Sequence, residues 1–186
     1  MAAGRRGSRF HPYRALGALG VELAVAALDD DVMGDYDHEQ RVVRLDRGLR
    51  QAERRCTAAH EYVHAVRGDL PSCTDWHERK QERVVERVAA RLLIPLEDLA
   101  RASLWSDDVT ELADDLWVDV DTLRQRLRDL RPDERDFVVS YRAERSADRA
   151  ADPVADRAAD PVADRGSDSE SARRRPWLPS RSASAG

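Results

Sequence analysis

The stretch Cys56-Thr57-Ala58-Ala59-His60-Glu61-Tyr62-Val63-His64-Ala65-Val66-Arg67-Gly68 decides how the rest of the chain is read. It contains His60-Glu61-x-x-His64. On an α-helix, residues four apart share a face, so both imidazoles can reach one ion. Glu61 then points near the open coordination position, where a carboxylate can act as a base. The neighbours suit a helix: alanines flank the motif, no Pro or Gly interrupts it, and Gly68 stops it. The competing reading is a pair of ordinary helix-face histidines. Chance alone puts such a motif in roughly one chain in a hundred of this length.

Two histidines do not hold a catalytic zinc, which needs a third protein ligand besides water. A continuation with Gly and then His would define one subclass, but Arg67 and Leu70 occupy those positions. A carboxylate from the next helix is the other common solution. The sequence from Trp76 to Leu93 is helical, with Val85, Val88, Ala89 and Leu92 forming the apolar stripe. Glu82 lies at the margin of that stripe and is the preferred ligand, with Glu78, Glu86 and His77 as alternatives. Glu86, one turn later, is placed to hydrogen-bond a ligand histidine. Cys56 lies one turn before His60 and reads as a small buried residue rather than a ligand. Cys73 and His38 look incidental.

Upstream, Tyr13 to Leu19 suits a short helix behind a loose leader (residues 1–12). Val21 to Val25 and Gln40 to Leu45 read as strands. Asp29-Asp30-Asp31 and Gly34-Asp35 supply turn chemistry between them. A sheet of two or three strands therefore precedes the motif helix, expected from about Arg50 to Arg67.

Downstream, Ile94-Pro95 ends one helix and opens another, Leu96 to Leu104. Asp107–Leu116 and Asp119–Leu130 form two more, with Leu112, Leu116, Val120, Leu123, Leu127 and Leu130 buried and Trp117-Val118 at the bend. So tight a joint resembles a helix-turn-helix unit. Its second helix carries Arg124, Arg126, Arg128 and Arg131 but also Asp121 and Asp129, which favours a solvated face over DNA readout. A last weak helix follows from Pro132 to about Arg145. Beyond Ser146, Ala151-Asp152-Pro153-Val154-Ala155-Asp156-Arg157 recurs as Ala159 to Arg165. A repeat with so little apolar mass is expected to be disordered. Arg173-Arg174-Arg175-Pro176-Trp177 reads as inert tail rather than a handle for a partner.

Charged residues make up 36% of the chain, well above the ~25% of compact domains, which again points to an unfolded portion. The net charge of −5 gives no general support for nucleic-acid binding. No apolar run approaches the ~20 residues of a membrane span. Two cysteines make no disulfide framework, so a cytoplasmic setting is expected.

Arg55 to Ala65, followed by Glu82-x-x-Val85-Glu86-x-Val88-Ala89-Ala90-x-Leu92-Leu93-Ile94-Pro95, resembles the ImmA/IrrE metallo-endopeptidases. Members pair a helical His-Glu-x-x-His with a segment like E-x-x-A-N-x-F-A-A-x-L-L-M-P. The resemblance covers roughly Val21 to Leu130. It implies an α+β fold, with a small N-terminal sheet packed on a mainly helical zincin-like core (13–105). A helix-turn-helix-like unit (106–145) and a disordered tail (146–186) complete the expected organisation. It further implies a site-specific protease that uses Zn2+ and cuts a helix-turn-helix transcriptional repressor of a phage, mobile element or stress response. Carried over by position, His60, His64 and Glu82 match the metal ligands and Glu61 the catalytic glutamate. The family's usual Ala-Asn is Val85-Glu86 here, so the part played by Glu86 departs from the pattern. Tyr36 and Tyr141 are the candidates for a donor to the oxyanion. The alternative is a repressor- or DNA-binding regulator that keeps the scaffold without proteolysis.

Overall fold

A computed structural model describes residues 10–68 and 75–151. Along the described chain run α1 (Pro12–Ala18), β1 (Glu22–Ala26), β2 (Gly34–Asp37), β3 (Val42–Asp46) and α2 (Gln51–Arg67). Then come α3 (Asp75–Leu93), α4 (Leu96–Ala102), α5 (Val109–Leu116), α6 (Val120–Arg128) and α7 (Pro132–Ala151). The fold is α+β, as expected. None of the described helices is long and apolar enough to cross a membrane.

The sheet has the order β1-β3-β2, with β1 parallel and β2 antiparallel to β3. Partners across a ladder share a face. Tyr36 therefore stands beside Val43, and both point towards α2 with the fully buried Leu45. Burying each aliphatic side chain of this kind contributes about 1.5–3 kcal/mol. Strand β2 falls where the sequence reads as a turn. Its pairing comes from partners rather than propensity: the Asp35 carboxylate takes the Arg44 guanidinium across the ladder, with Nε–Oδ1 at 2.9 Å.

Helix α2 is buried on two faces and lines a cleft with a third. Ala58 meets the sheet cluster, whereas Cys56, Ala59 and Val63 join the helical cluster with Val85, Ala89 and Leu93 of α3. Small side chains let both layers approach closely. The third face carries Thr57, His60, Glu61 and His64, spaced i, i+3, i+4, i+7. The helix starts where the Glu53 carboxylate accepts the Arg50 amide (2.7 Å) and stops at Gly68, whose φ of 66° is left-handed.

Three expectations are corrected. Residues 10–12 are not loose: the Phe10 ring packs on Tyr62 at 5.2 Å, and Pro12 is buried as the first residue of α1. The stripe on α3 is Val85, Ala89 and Leu93 with Ala90, while Val88 is 37% exposed. This helix meets α6 as well as α2, so its buried sector turns towards Ala90. At 100° per residue, that rotation carries Glu82 from the margin to the middle of the inward face. The leucines of the helix-turn-helix-like unit pack on the core: Leu112, Leu116, Val118, Leu123 and Leu130 share one cluster with Cys56 and Val85. Finally, α7 continues past Ser146 to Ala151. Beyond Ala151 the repeat lies outside the described residues, as do the Arg173–Trp177 segment and residues 69–74.

The joint between α5 and α6 is tied back to the motif helix. Trp117 ends α5 with a left-handed φ of 56°, a conformation that costs a bulky residue roughly 1–3 kcal/mol. Arg55 of α2 holds it there. Its Nη1 donates to the Trp117 carbonyl at 2.7 Å, and its guanidinium lies 5.4 Å from the indole centre. Asp108 and Asp119 then cap α5 and α6, accepting from the amides of Thr110 (2.8 Å) and Thr122 (2.7 Å).

Candidate metal centre

Three side chains from two helices meet on the cleft face of α2. The Nε2 atoms of His60 and His64 lie 3.1 Å apart. From α3, Glu82 places Oε2 at 3.1 Å from His60 Nε2 and Oε1 at 3.4 Å from His64 Nε2. These are the His, Cys, Asp and Glu atoms that converge as a possible ion site among the described residues. The separations fit zinc. With metal–ligand bonds near 2.0–2.2 Å, the edge of a tetrahedron is about 3.3 Å. Two imidazoles and one carboxylate are also the donor set of open zinc sites. The hydrogen bonds from His60 and His64 hold the Glu82 carboxyl far below the usual glutamate range, although its partial burial works the other way.

Glu61 is only 6% exposed and has no hydrogen-bond partner among the described residues. Burial raises its carboxyl above the ordinary glutamate value, and the nearby imidazoles oppose that rise only in part. A buried carboxylate with unfilled lone pairs is costly unless something in the cleft donates to it or the group takes a proton.

The cleft above these residues has a volume of about 790 Å³. Its floor is α2 and α3. One lip is the segment Asp31–Gly34 leading into β2; the facing wall is α6, through Asp119, Asp121, Thr122, Gln125 and Arg128. Neither wall was visible as such in the sequence. The acidic run before Gly34 reads as turn chemistry, and α6 reads as half of a helix-turn-helix. On α6, Arg126 is 3% exposed and donates to the Ile94 carbonyl and to Glu134, while Arg124 pairs with Asp121 and Arg128 with Gln125. Arg126 is therefore engaged within the fold, while Arg124 and Arg128 make local surface contacts.

The structure brings His60, His64, Glu82 and Glu61 together. It does not bring Glu86 to a ligand: Glu86 is exposed, lines the cleft and makes no hydrogen bond to either histidine. Four residues after Glu82, it stands about 6 Å further along the helix axis, beyond reach of the rings. Neither Tyr36 nor Tyr141 is among the residues lining the cleft. Tyr36 packs in the sheet cluster and Tyr141 against Phe137. Cys56 stays a thiol: burial first, then the Asp119 carboxylate, push it up to about 12.

Fold and site together define a metallopeptidase-type domain of the zincin kind. The chain belongs to the Peptidase_M78 family, described as the IrrE N-terminal-like domain, which matches residues 20–128. Among solved structures it is similar to a Mycobacterium tuberculosis transcriptional regulator, with a TM-score of 0.52 and 19% identity. That similarity covers 66% of this chain and 43% of the other, and at this identity it speaks for the fold alone. No curated protein matches the chain.

Proposed function

We propose that the protein is a zinc-dependent, site-specific endopeptidase of the cytoplasm whose substrate is a helix-turn-helix transcriptional repressor. One observation carries the reading: His60, His64 and Glu82 converge at tetrahedral-edge distances, with the buried Glu61 beside them and a cleft above. His60 and His64 would hold the ion through Nε2, and Glu82 through its carboxylate. Zinc bound there supplies a Lewis acid for the scissile carbonyl and a more acidic water at neutral pH.

The chain's own groups do the rest. Burial makes Glu61 a stronger base than an exposed glutamate, suited to taking the water proton on a carboxylate oxygen and handing it to the leaving amine. The α2–α3 packing fixes the two imidazoles against Glu82, so little reorganisation is needed when the ion enters. The lip at Asp31–Gly34 and the α6 wall would orient an extended segment across the floor. The engaged Arg126 of α6 and the net charge of −5 weigh against a DNA-binding regulator.

The test uses zinc-loaded protein and the purified repressor encoded beside its gene, with products mapped by mass spectrometry. A single cut is expected from the wild type. Glu61→Gln should keep the zinc and leave the repressor whole. A fully active Glu61→Gln protein rules the mechanism out.

A further inference from the structure

Apart from the metal-site groups and Glu61, the charged residues lining the cleft among the described residues are Asp31, Glu53, Glu86, Asp119 and Asp121 against one cation, Arg128. Several of these charges are already used. Glu53 is held by Arg50 at 2.6 Å, Asp119 caps α6, and Arg128 is turned onto the Gln125 side-chain oxygen at 2.6 Å. The Asp31 and Glu86 carboxylates form no hydrogen bond or ion pair among the described residues. Asp121 shares only the exposed Arg124, at 3.2 Å. These three carboxylates do not converge as an ion site; the described cluster that does is His60, His64 and Glu82.

A second observation points to an occupant that donates hydrogen bonds. Glu61 is more than nine-tenths buried, opens into the same cleft and lacks a donor. At the centre the charges would balance, because a divalent ion held by His60, His64 and Glu82 would offset Glu82 and Glu61. The surplus negative charge therefore sits on the lip, on the α6 wall and on the floor away from the three converging donors. Opposite charges draw a ligand most strongly where low-dielectric walls focus the field.

We infer that the cleft selects a peptide segment carrying lysine or arginine beside the scissile bond, with Glu86 and Asp121 as the residues that read the cation. This rests on the endopeptidase reading and narrows its substrate to a basic segment. Glu86 thus acts on substrate from the α3 floor of the cleft rather than on a ligand histidine. The guanidinium or ammonium group would replace water on Glu86 and compete with Arg124 for Asp121, interactions that weaken as salt rises.

The experiment measures binding rather than turnover. Zinc-loaded full-length Glu61→Gln protein is titrated with two short fluorescein-labelled peptides, one alternating Ala and Lys, the other Ala and Glu. Fluorescence anisotropy at low salt should show the Lys peptide bound about tenfold tighter or more, with the gap closing at high salt. In that background, Glu86→Gln/Asp121→Asn should weaken the Lys peptide about fivefold. The exposed pair Glu111→Gln/Asp115→Asn on α5 removes the same charge outside the cleft and should change it less than about twofold. Equal binding of the two peptides overturns the inference, as does an equal loss from both double variants. Cleavage by zinc-loaded wild type is scored separately. A Lys peptide bound in the cleft while the repressor is left whole tells against the endopeptidase reading and leaves the charge selectivity standing. Cutting of both peptides alike leaves the protease standing and removes the selectivity.

Discussion

Gly34 of β2 lies directly against Thr57 of α2: a β-carbon on Gly34 would stand 2.5 Å from Thr57 Cγ2 and 3.0 Å from the Arg44 carbonyl oxygen. Thr57 is buried, β-branched and anchored through Oγ1 to the Glu53 carbonyl at 2.9 Å, so it has little freedom to move aside. The contact lies one turn before His60 and sets how closely the lip of the cleft approaches its floor. Gly34→Ala should cost about 1–3 kcal/mol from overpacking, visible as a lower midpoint in urea. Thr57→Ser in the same chain removes the obstructing methyl and should recover part of the loss. A Gly34→Ala protein as stable as wild type would mean that the two elements pack less closely.

The convergent donors make metal removal informative. Protein grown with ample zinc should carry one ion per chain by atomic absorption, and His60→Ala, His64→Ala and Glu82→Ala should each lose it. Because a ligand that binds only the folded state stabilises it, zinc at a thousandfold over its dissociation constant should add about 4 kcal/mol. Chelation should therefore lower the thermal midpoint of wild type and leave that of Glu82→Ala nearly unchanged.

A buried ion-pair network fastens α6 to α7 behind the cleft wall. Glu134 Oε1 accepts from Arg126 Nη2 at 3.1 Å, and Oε2 accepts from Arg91 Nη2 at 3.2 Å and the Arg131 amide at 2.9 Å. Burial works to raise the Glu134 carboxyl, but those donors together hold it below the usual glutamate value. Glu134→Ala leaves Arg126 buried and unpaired and should cost about 3–5 kcal/mol. A carboxyl lowered by folding contributes stability that is fully present above its unfolded value, near 4.3, and lost as pH falls through the folded one. The stability gap between wild type and Glu134→Ala should therefore narrow below about pH 4.3. A gap that stays constant down to acid unfolding would show that the pairing adds nothing.

Cys56 accepts the Asp119 amide at 3.4 Å and is 6% exposed. With its thiol pushed up to about 12, almost none is thiolate at neutral pH. Iodoacetamide should label Cys56 only after unfolding, as read by peptide mass spectrometry. Rapid labelling of the native protein would contradict the packing of α6 on α2.

The sequence by itself determined the motif helix, its stop at Gly68, the two flanking strands β1 and β3, and the leucines of α5 and α6. Each is written in local periodicity or in a single cap, which neighbouring residues alone can specify. Spacing also put His60, Glu61 and His64 on one helical face. Only the tertiary structure decided the rest. Strand β2 forms because Asp35 and Tyr36 find partners on β3, not because Gly34-Asp35 favours extended chain. The inward turn of Glu82 depends on α3 packing against two helices at once, which rotates its buried sector by an amount no stripe of valines reveals. Arg126 lies inside because Glu134 and the Ile94 carbonyl meet it there, from positions far away in the chain. The cleft walls are of the same kind: the loop at Asp31–Gly34 and the distant helix α6 become neighbours only when long-range packing closes them over α2.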